Sequence, residues 1–103
     1  MIHVLAVITT KPGQRAAVLE AFQANVPAVR AEAGCIEYQA TVDANGAPVS
    51  KGTFGEDTFV VVEKWETLAA LQAHAVAPHM QAYGAKTKDL LASRLIHVLE
   101  PVG

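Results

Sequence analysis

Ile2-His3-Val4-Leu5-Ala6-Val7-Ile8-Thr9 reads as a β-strand that is apolar on both sides. A strand with one face in water alternates apolar and polar residues. Here Ile2, Val4, Ala6 and Ile8 share one side, and Leu5 and Val7 occupy the other, so both faces need cover. The composition agrees. Of 103 residues, 51% are apolar and 17% charged, against roughly 25% charged in an average domain. That length suits one domain spanning residues 1–103, so the second covered face points to another chain.

Working outward, Lys11-Pro12-Gly13 breaks the strand, and a helix is expected from about 12 to 32. Its apolar positions Val18, Leu19, Phe22, Val26 and Val29 recur at three- and four-residue spacing. Pro27 should kink that helix or end its first segment, with Ala33-Gly34 as the stop. A second strand is expected over 35–42. Asp43-Ala-Asn-Gly46 signals a turn, and a long hairpin connection over 46–57, partly strand at its start, leads to a third strand over 58–65. Thr67 is the N-cap candidate of a second helix with the stripe Leu68, Leu71, Ala75. Pro78 opens a further segment to about residue 90, with Met80, Tyr83, Thr87 and Leu91 facing inward. A last strand is expected over 93–100. The order β-α-β-β-α-β is the split βαβ, ferredoxin-like arrangement: an α+β fold whose antiparallel sheet carries its helices on one face. The bare second face would form a large exposed apolar patch, which a sheet-to-sheet homodimer with two-fold symmetry would bury.

Several function classes drop out. The net charge is −2, with no Lys/Arg cluster for nucleic acid. The longest apolar run is far short of a membrane span. Met1-Ile2-His3-Val4 enters a strand pattern without the basic and apolar regions of a secretory signal. A lone cysteine, Cys35, excludes an internal disulfide or a cysteine-cluster metal site. A cytoplasmic location is expected.

Four stretches carry a family resemblance: the first strand followed by Lys11-Pro12-Gly13 and a long helix; Glu32-Ala-Gly-Cys-Ile-Glu-Tyr38; Phe59-Val-Val-Val-Glu-Lys-Trp65-Glu; and Leu71-Gln-Ala-His74-Ala-Val-Ala-Pro-His79-Met. In this order they resemble the antibiotic biosynthesis monooxygenase (ABM) superfamily, in its small quinol-monooxygenase-like branch. The resemblance implies a dimeric α+β barrel with a pocket in each subunit between helices and sheet. Several such proteins oxidise quinol- or anthrone-type aromatics with O2 and no metal, flavin or haem. The small aromatic substrate and O2 are thus the expected partners, and no cofactor is expected. Other members isomerise or cleave small oxygenated metabolites in quorum-signal breakdown, and a non-catalytic small-ligand-binding dimer is a third reading. An Asn on the first strand helps position haem in the haem-degrading branch. Residues 4–8 lack one, so haem degradation is not expected.

His74 and His79 are the candidate catalytic residues, since imidazole accepts a proton near neutral pH. Five residues apart on a continuous helix, they would point about 140° apart; Pro78 between them bends the path and could bring them to one cavity. They are not read as a metal site, because a helical zinc pair wants four-residue spacing plus a carboxylate or third histidine. Four aromatic residues are candidate substrate contacts. Trp65 would form a cavity wall with its N–H toward a substrate oxygen, or else sit in the core or dimer interface. Tyr38 and Tyr83 could donate phenolic hydrogen bonds, the side of Tyr38 depending on register. Phe54 would serve as a lid or reach across the dimer. Cys35 has no basic neighbour in sequence and reads as a buried, inert thiol.

Overall fold

The computed structural model of the chain describes residues 1–46, 48 and 51–103. Its elements are β1 (Ile2–Thr10), α1 (Arg15–Arg30), β2 (Cys35–Thr41), β3 (Thr58–Trp65), α2 (Leu68–Ala75), α3 (Pro78–Thr87), a 3-10 turn over Lys88–Leu90, and β4 (Leu91–Leu99). The four strands form one sheet in the order β2-β3-β1-β4 with every neighbour antiparallel. This is the α+β, ferredoxin-like arrangement, with its second helical layer split at Pro78. The split is built into the residues: Thr67 Oγ1 accepts the Ala70 amide to cap α2, and Pro78 occupies the first turn of α3, where its missing N–H costs nothing.

The structure departs from the sequence reading in detail. Helix α1 starts at Arg15 rather than 12, because Gly13 takes a left-handed φ of 77° and its amide donates to the Asp57 carboxylate at 3.0 Å. The helix continues through Pro27 to Arg30. Both Pro27 and Gln23, whose carbonyl loses its amide partner there, are exposed, so water can satisfy the carbonyl. No strand forms between β2 and β3 among the described residues. The expected hairpin connection also includes residues 47, 49 and 50, which lie outside them.

Packing follows the alternation of the strands. Val18, Phe22, Val26 and Val29 of α1 bury against Ile2, Val4, Ala6 and Ile8 of β1 and Phe59, Val61 and Trp65 of β3. The helices cover only part of the inner face, however. On β4, Val98 pairs with Val4 yet remains 49% exposed, so the inner side of that edge strand stays open. On the outer face Leu5, Leu95 and Leu99 are also exposed, Leu95 by 58%. No described helix is long and apolar enough to cross a membrane.

One glycine fixes how α1, β2 and α2 meet. Gly34 has φ 84°, its carbonyl accepts the Glu66 amide at 2.8 Å, and an added Cβ would lie 2.6 Å from the Ala70 Cβ. Gly34→Ala combines a left-handed backbone with a clash against a side chain that cannot swing away. It should destabilise the fold by about 2–4 kcal/mol. Urea unfolding checks this; a loss under 0.5 kcal/mol, on the scale of a neutral surface change, would contradict the packing described.

Candidate active site

Between the inner face of the sheet and the α2–α3 pair lies a cavity of about 500 Å³, within the usual range for small-molecule sites. Its floor is apolar, with Val4, Ala6, Ile8 and Val61 from β1 and β3. Met80, Tyr83 and Thr87 of α3 and Leu91 form the wall expected from their spacing. The polar residues lining it include His74, Glu63, Tyr38, Tyr83 and, from β4, Arg94, with Gln72, Gln81, Thr87 and Lys88 from the helical side.

His74 stands in the last turn of α2 and is nearly fully buried. Its ring lies 4.7 Å from the Trp65 indole and 5.5 Å from the Tyr38 ring, centroid to centroid. Its Nδ1 is 2.8 Å from Oε2 of Glu32. An ionised carboxylate only accepts, so Nδ1 carries the proton and donates it, which in the neutral imidazole makes Nε2 the acceptor. Among the described residues no buried side-chain nitrogen or oxygen lacks a partner. Nε2 takes no protein hydrogen bond, so it opens onto accessible space in a residue that lines the cavity. That is the tautomer a proton acceptor needs, held by an orienting carboxylate.

Glu32 also receives a hydrogen bond from His79, whose Nε2 lies 2.9 Å from the same Oε2. Pro78 does bring the two histidines together, but around a carboxylate. His79 is not among the cavity-lining residues. It stands behind Glu32 on the solvent side, its side chain 29% exposed against 14% for Glu32 and 7% for His74. The expectation of no metal site rested on the five-residue spacing and on the lack of a supporting carboxylate or third histidine; the fold brings Glu32 beside both imidazoles from the turn between α1 and β2.

Glu63 sits on the inner face of β3 between Val61 and Trp65. One oxygen accepts the Trp65 indole N–H at 2.9 Å. Burial pushes its carboxyl above the ordinary value of 4.5; the Trp65 hydrogen bond and nearby His74 pull the other way, and Glu32 adds to the rise. Its charged form is therefore disfavoured in the folded protein. The stability tied to this group is greatest below pH 4.5 and declines as pH rises through the folded-state value. Glu63→Gln removes that dependence. The unfolding free energy of the variant relative to wild type should increase from pH 4.5 upward, and parallel urea-unfolding series across pH 4–8 would expose it. A constant difference would mean that Glu63 is not buried as described.

The aromatic candidates divide. A β-bulge in β2 shifts register between Cys35 and Glu37, so Ile36 points outward and Tyr38 faces inward opposite Glu63. Tyr38 stacks on Phe22 at 5.1 Å, and Tyr83 meets the same ring edge-on at 6.2 Å. Burial raises both phenols above their ordinary range, which keeps them neutral donors, and among the described residues neither hydroxyl has a partner. Trp65 is fully buried behind His74 and does not line the cavity; its N–H is committed to Glu63. Phe54 lies across the sheet, in a shallow depression with Leu5, Val7, Val60 and Leu95. Its amide is anchored by the Asp43 carboxylate, held below its usual range by the Phe54 and Gly55 backbone hydrogen bonds. The structure therefore does not bring Phe54 to this cavity. Cys35 is half-buried, and burial together with Glu32 and Glu63 pushes its thiol up, which disfavours the nucleophilic thiolate.

Residues 1–86 match the family described as Antibiotic biosynthesis monooxygenase. The chain belongs to this family. It is 42% identical to a protein of Escherichia coli K12 named "Probable quinol monooxygenase YgiN", over 98% of both chains. Among solved structures it resembles PA3566 from Pseudomonas aeruginosa, with TM-score 0.82 and 27% identity over 99% of this chain and 94% of the other. It also resembles Rv0793 from Mycobacterium tuberculosis, with TM-score 0.80 and 27% identity over 99% and 95%. Within this family member, Glu32, Glu63 and Arg94 are polar groups of the site that the sequence reading does not single out, as are the cavity-lining Gln72, Gln81 and Lys88. Glu63 had a signal: it shares strand parity with Phe59, Val61 and Trp65, a charge placed on an otherwise apolar side.

Proposed function

We propose that the protein is an oxygenase of quinol- or anthrone-type aromatics, with His74 as the base. The observation that carries the reading is the bare Nε2 of His74, fixed as an acceptor by Glu32 and facing an apolar cavity. Nε2 removes a proton from the substrate. The resulting electron-rich anion is itself a reductant toward O2, so the step asks for no added cofactor. The incoming positive charge on His74 lies beside the Glu32 carboxylate, which stabilises it. Oxygen adds to the ring carbon as a peroxide, to which His74 returns the proton. Loss of the remaining C–H proton as the O–O bond breaks forms C=O and releases the second oxygen as water, so in an anthrone CH2 + O2 becomes C=O + H2O. Tyr38 and Tyr83 are placed to donate to substrate oxygens. The identity to a protein named as a quinol monooxygenase supports the substrate class.

Oxygen uptake with a panel of quinols and anthrones tests the reading. Uptake should exceed buffer autoxidation, persist after exhaustive chelation, and stop under anaerobiosis. Turnover of a substrate without O2 would instead favour isomerase or lyase chemistry in the same cavity.

The working unit in this reading is a cytoplasmic homodimer joined through the outer sheet face, where Leu5, Val7, Leu95 and Leu99 need cover. Sedimentation should give a dimer at micromolar concentration, and Leu95→Glu should give a monomer. A wild-type monomer would contradict it.

A further inference from the structure

Glu32, His74 and His79 form a compact donor set whose chemistry goes beyond orienting a base. The three ligand atoms, Oε2 of Glu32, Nδ1 of His74 and Nε2 of His79, all lie within 4.8 Å of one another. They come from three separate segments: the turn after α1, the last turn of α2 and the first turn of α3. Two imidazoles converge on one carboxylate oxygen, at 2.8 and 2.9 Å. Replacing the two shared protons by one cation needs only a small outward shift of that oxygen.

We propose that this triad binds a divalent ion of the zinc class, and that binding turns off His74 as a base. Two imidazole nitrogens and one carboxylate oxygen suit Zn2+ and similar ions, and suit Mg2+ or Ca2+ poorly, since those favour all-oxygen shells. Three protein ligands leave a fourth position for water. The graded exposure from His79 through Glu32 to His74 lets an ion enter from solvent without passing through the cavity.

The consequence for His74 follows from proton accounting. A metal needs the Nδ1 lone pair. The proton there moves to Nε2, and His79 likewise moves its proton from Nε2 to Nδ1, so none is lost overall. The cavity-facing Nε2 then becomes a donor and cannot accept a substrate proton. The inhibitory half of the proposal rests on the proposed function; the binding half stands on geometry alone.

The test has two independent arms. In calorimetry with ZnCl2 on chelator-treated protein, the wild type should bind one ion per chain, and His79→Asn and Glu32→Gln should each weaken binding at least about tenfold. Co2+ substituted at the same site should give a tetrahedral visible absorption that is absent in His79→Asn. In oxygen-uptake assays, Zn2+ should suppress wild-type turnover in step with occupancy. His79→Asn should resist suppression at the same Zn2+ concentration, each measured against its own metal-free rate. Equal zinc affinity in all three proteins would overturn the site. Triad-dependent binding that leaves turnover unchanged or raises it would overturn the switch. A metal-free protein with no uptake on any substrate would sink the oxygenase reading, while calorimetry would still decide the site.

Discussion

His74→Ala is expected to lower kcat for quinol or anthrone oxidation by about 10²–10⁴-fold, the span attributed to a positioned proton acceptor, with KM changed far less. The cavity is shaped chiefly by apolar side chains from β1, β3 and α3, so a substrate still finds its walls when the imidazole is gone. What disappears is the acceptor that Glu32 holds in one tautomer. The alanine variant keeps the hydrogen bond between His79 and Glu32, so the carboxylate is not stranded. The space vacated beside Trp65 and Tyr38 is imidazole-sized, so added imidazole should restore part of the rate. Steady-state kinetics with and without imidazole measure both effects. A kcat within twofold of wild type would remove His74 from the chemistry, leaving Glu63 as the remaining cavity group able to take a proton.

Trp65→Ala should have the largest effect on stability, a loss of about 3–5 kcal/mol against a total of roughly 5–15 kcal/mol for a native protein. Trp65 is fully buried, lies opposite Ile2 on β1 and Cys35 on β2, and backs the His74 ring. Its loss would open a void where three strands and α2 meet and leave Glu63 without its donor. Trp65→Phe separates these causes. It keeps most of the volume and so should cost less, but it removes the indole N–H that holds the Glu63 carboxyl down. That carboxyl should then titrate higher than in wild type. Urea unfolding of both variants, with carboxyl titration by NMR for the second, tests this. A loss below 1 kcal/mol for Trp65→Ala would contradict the packing.

The elements were legible because the signals are local. The apolar run Phe59-Val60-Val61-Val62 marks β3, and Thr67 and Pro78 mark the starts of α2 and α3 as each side chain or ring dictates. The three- and four-residue spacing of Met80, Tyr83 and Thr87 gives a cavity wall. The site was less legible because it depends on non-local placement. Glu32 lies 42 residues before His74, and no spacing rule links them until the turn after α1 packs against α2 at Gly34. The side of the sheet on which Tyr38 falls is set by a bulge at Ile36, which simple alternation does not encode. Phe54 sits in a loop with no periodicity to orient it, and it lands on the outer face. His74 and His79 were picked out for their shared proton chemistry, yet burial separates them into a cavity residue and one behind the carboxylate.

The proposed chemistry turns on which nitrogen of His74 holds the proton. Long-range 15N–1H correlation spectra of the metal-free protein at neutral pH read this directly. The structure predicts a His74 whose Nδ1 carries the proton shared with Glu32, with Nε2 free and shifting when a quinol analogue occupies the cavity. A His74 protonated at Nε2, or one whose nitrogens ignore the analogue, would contradict it.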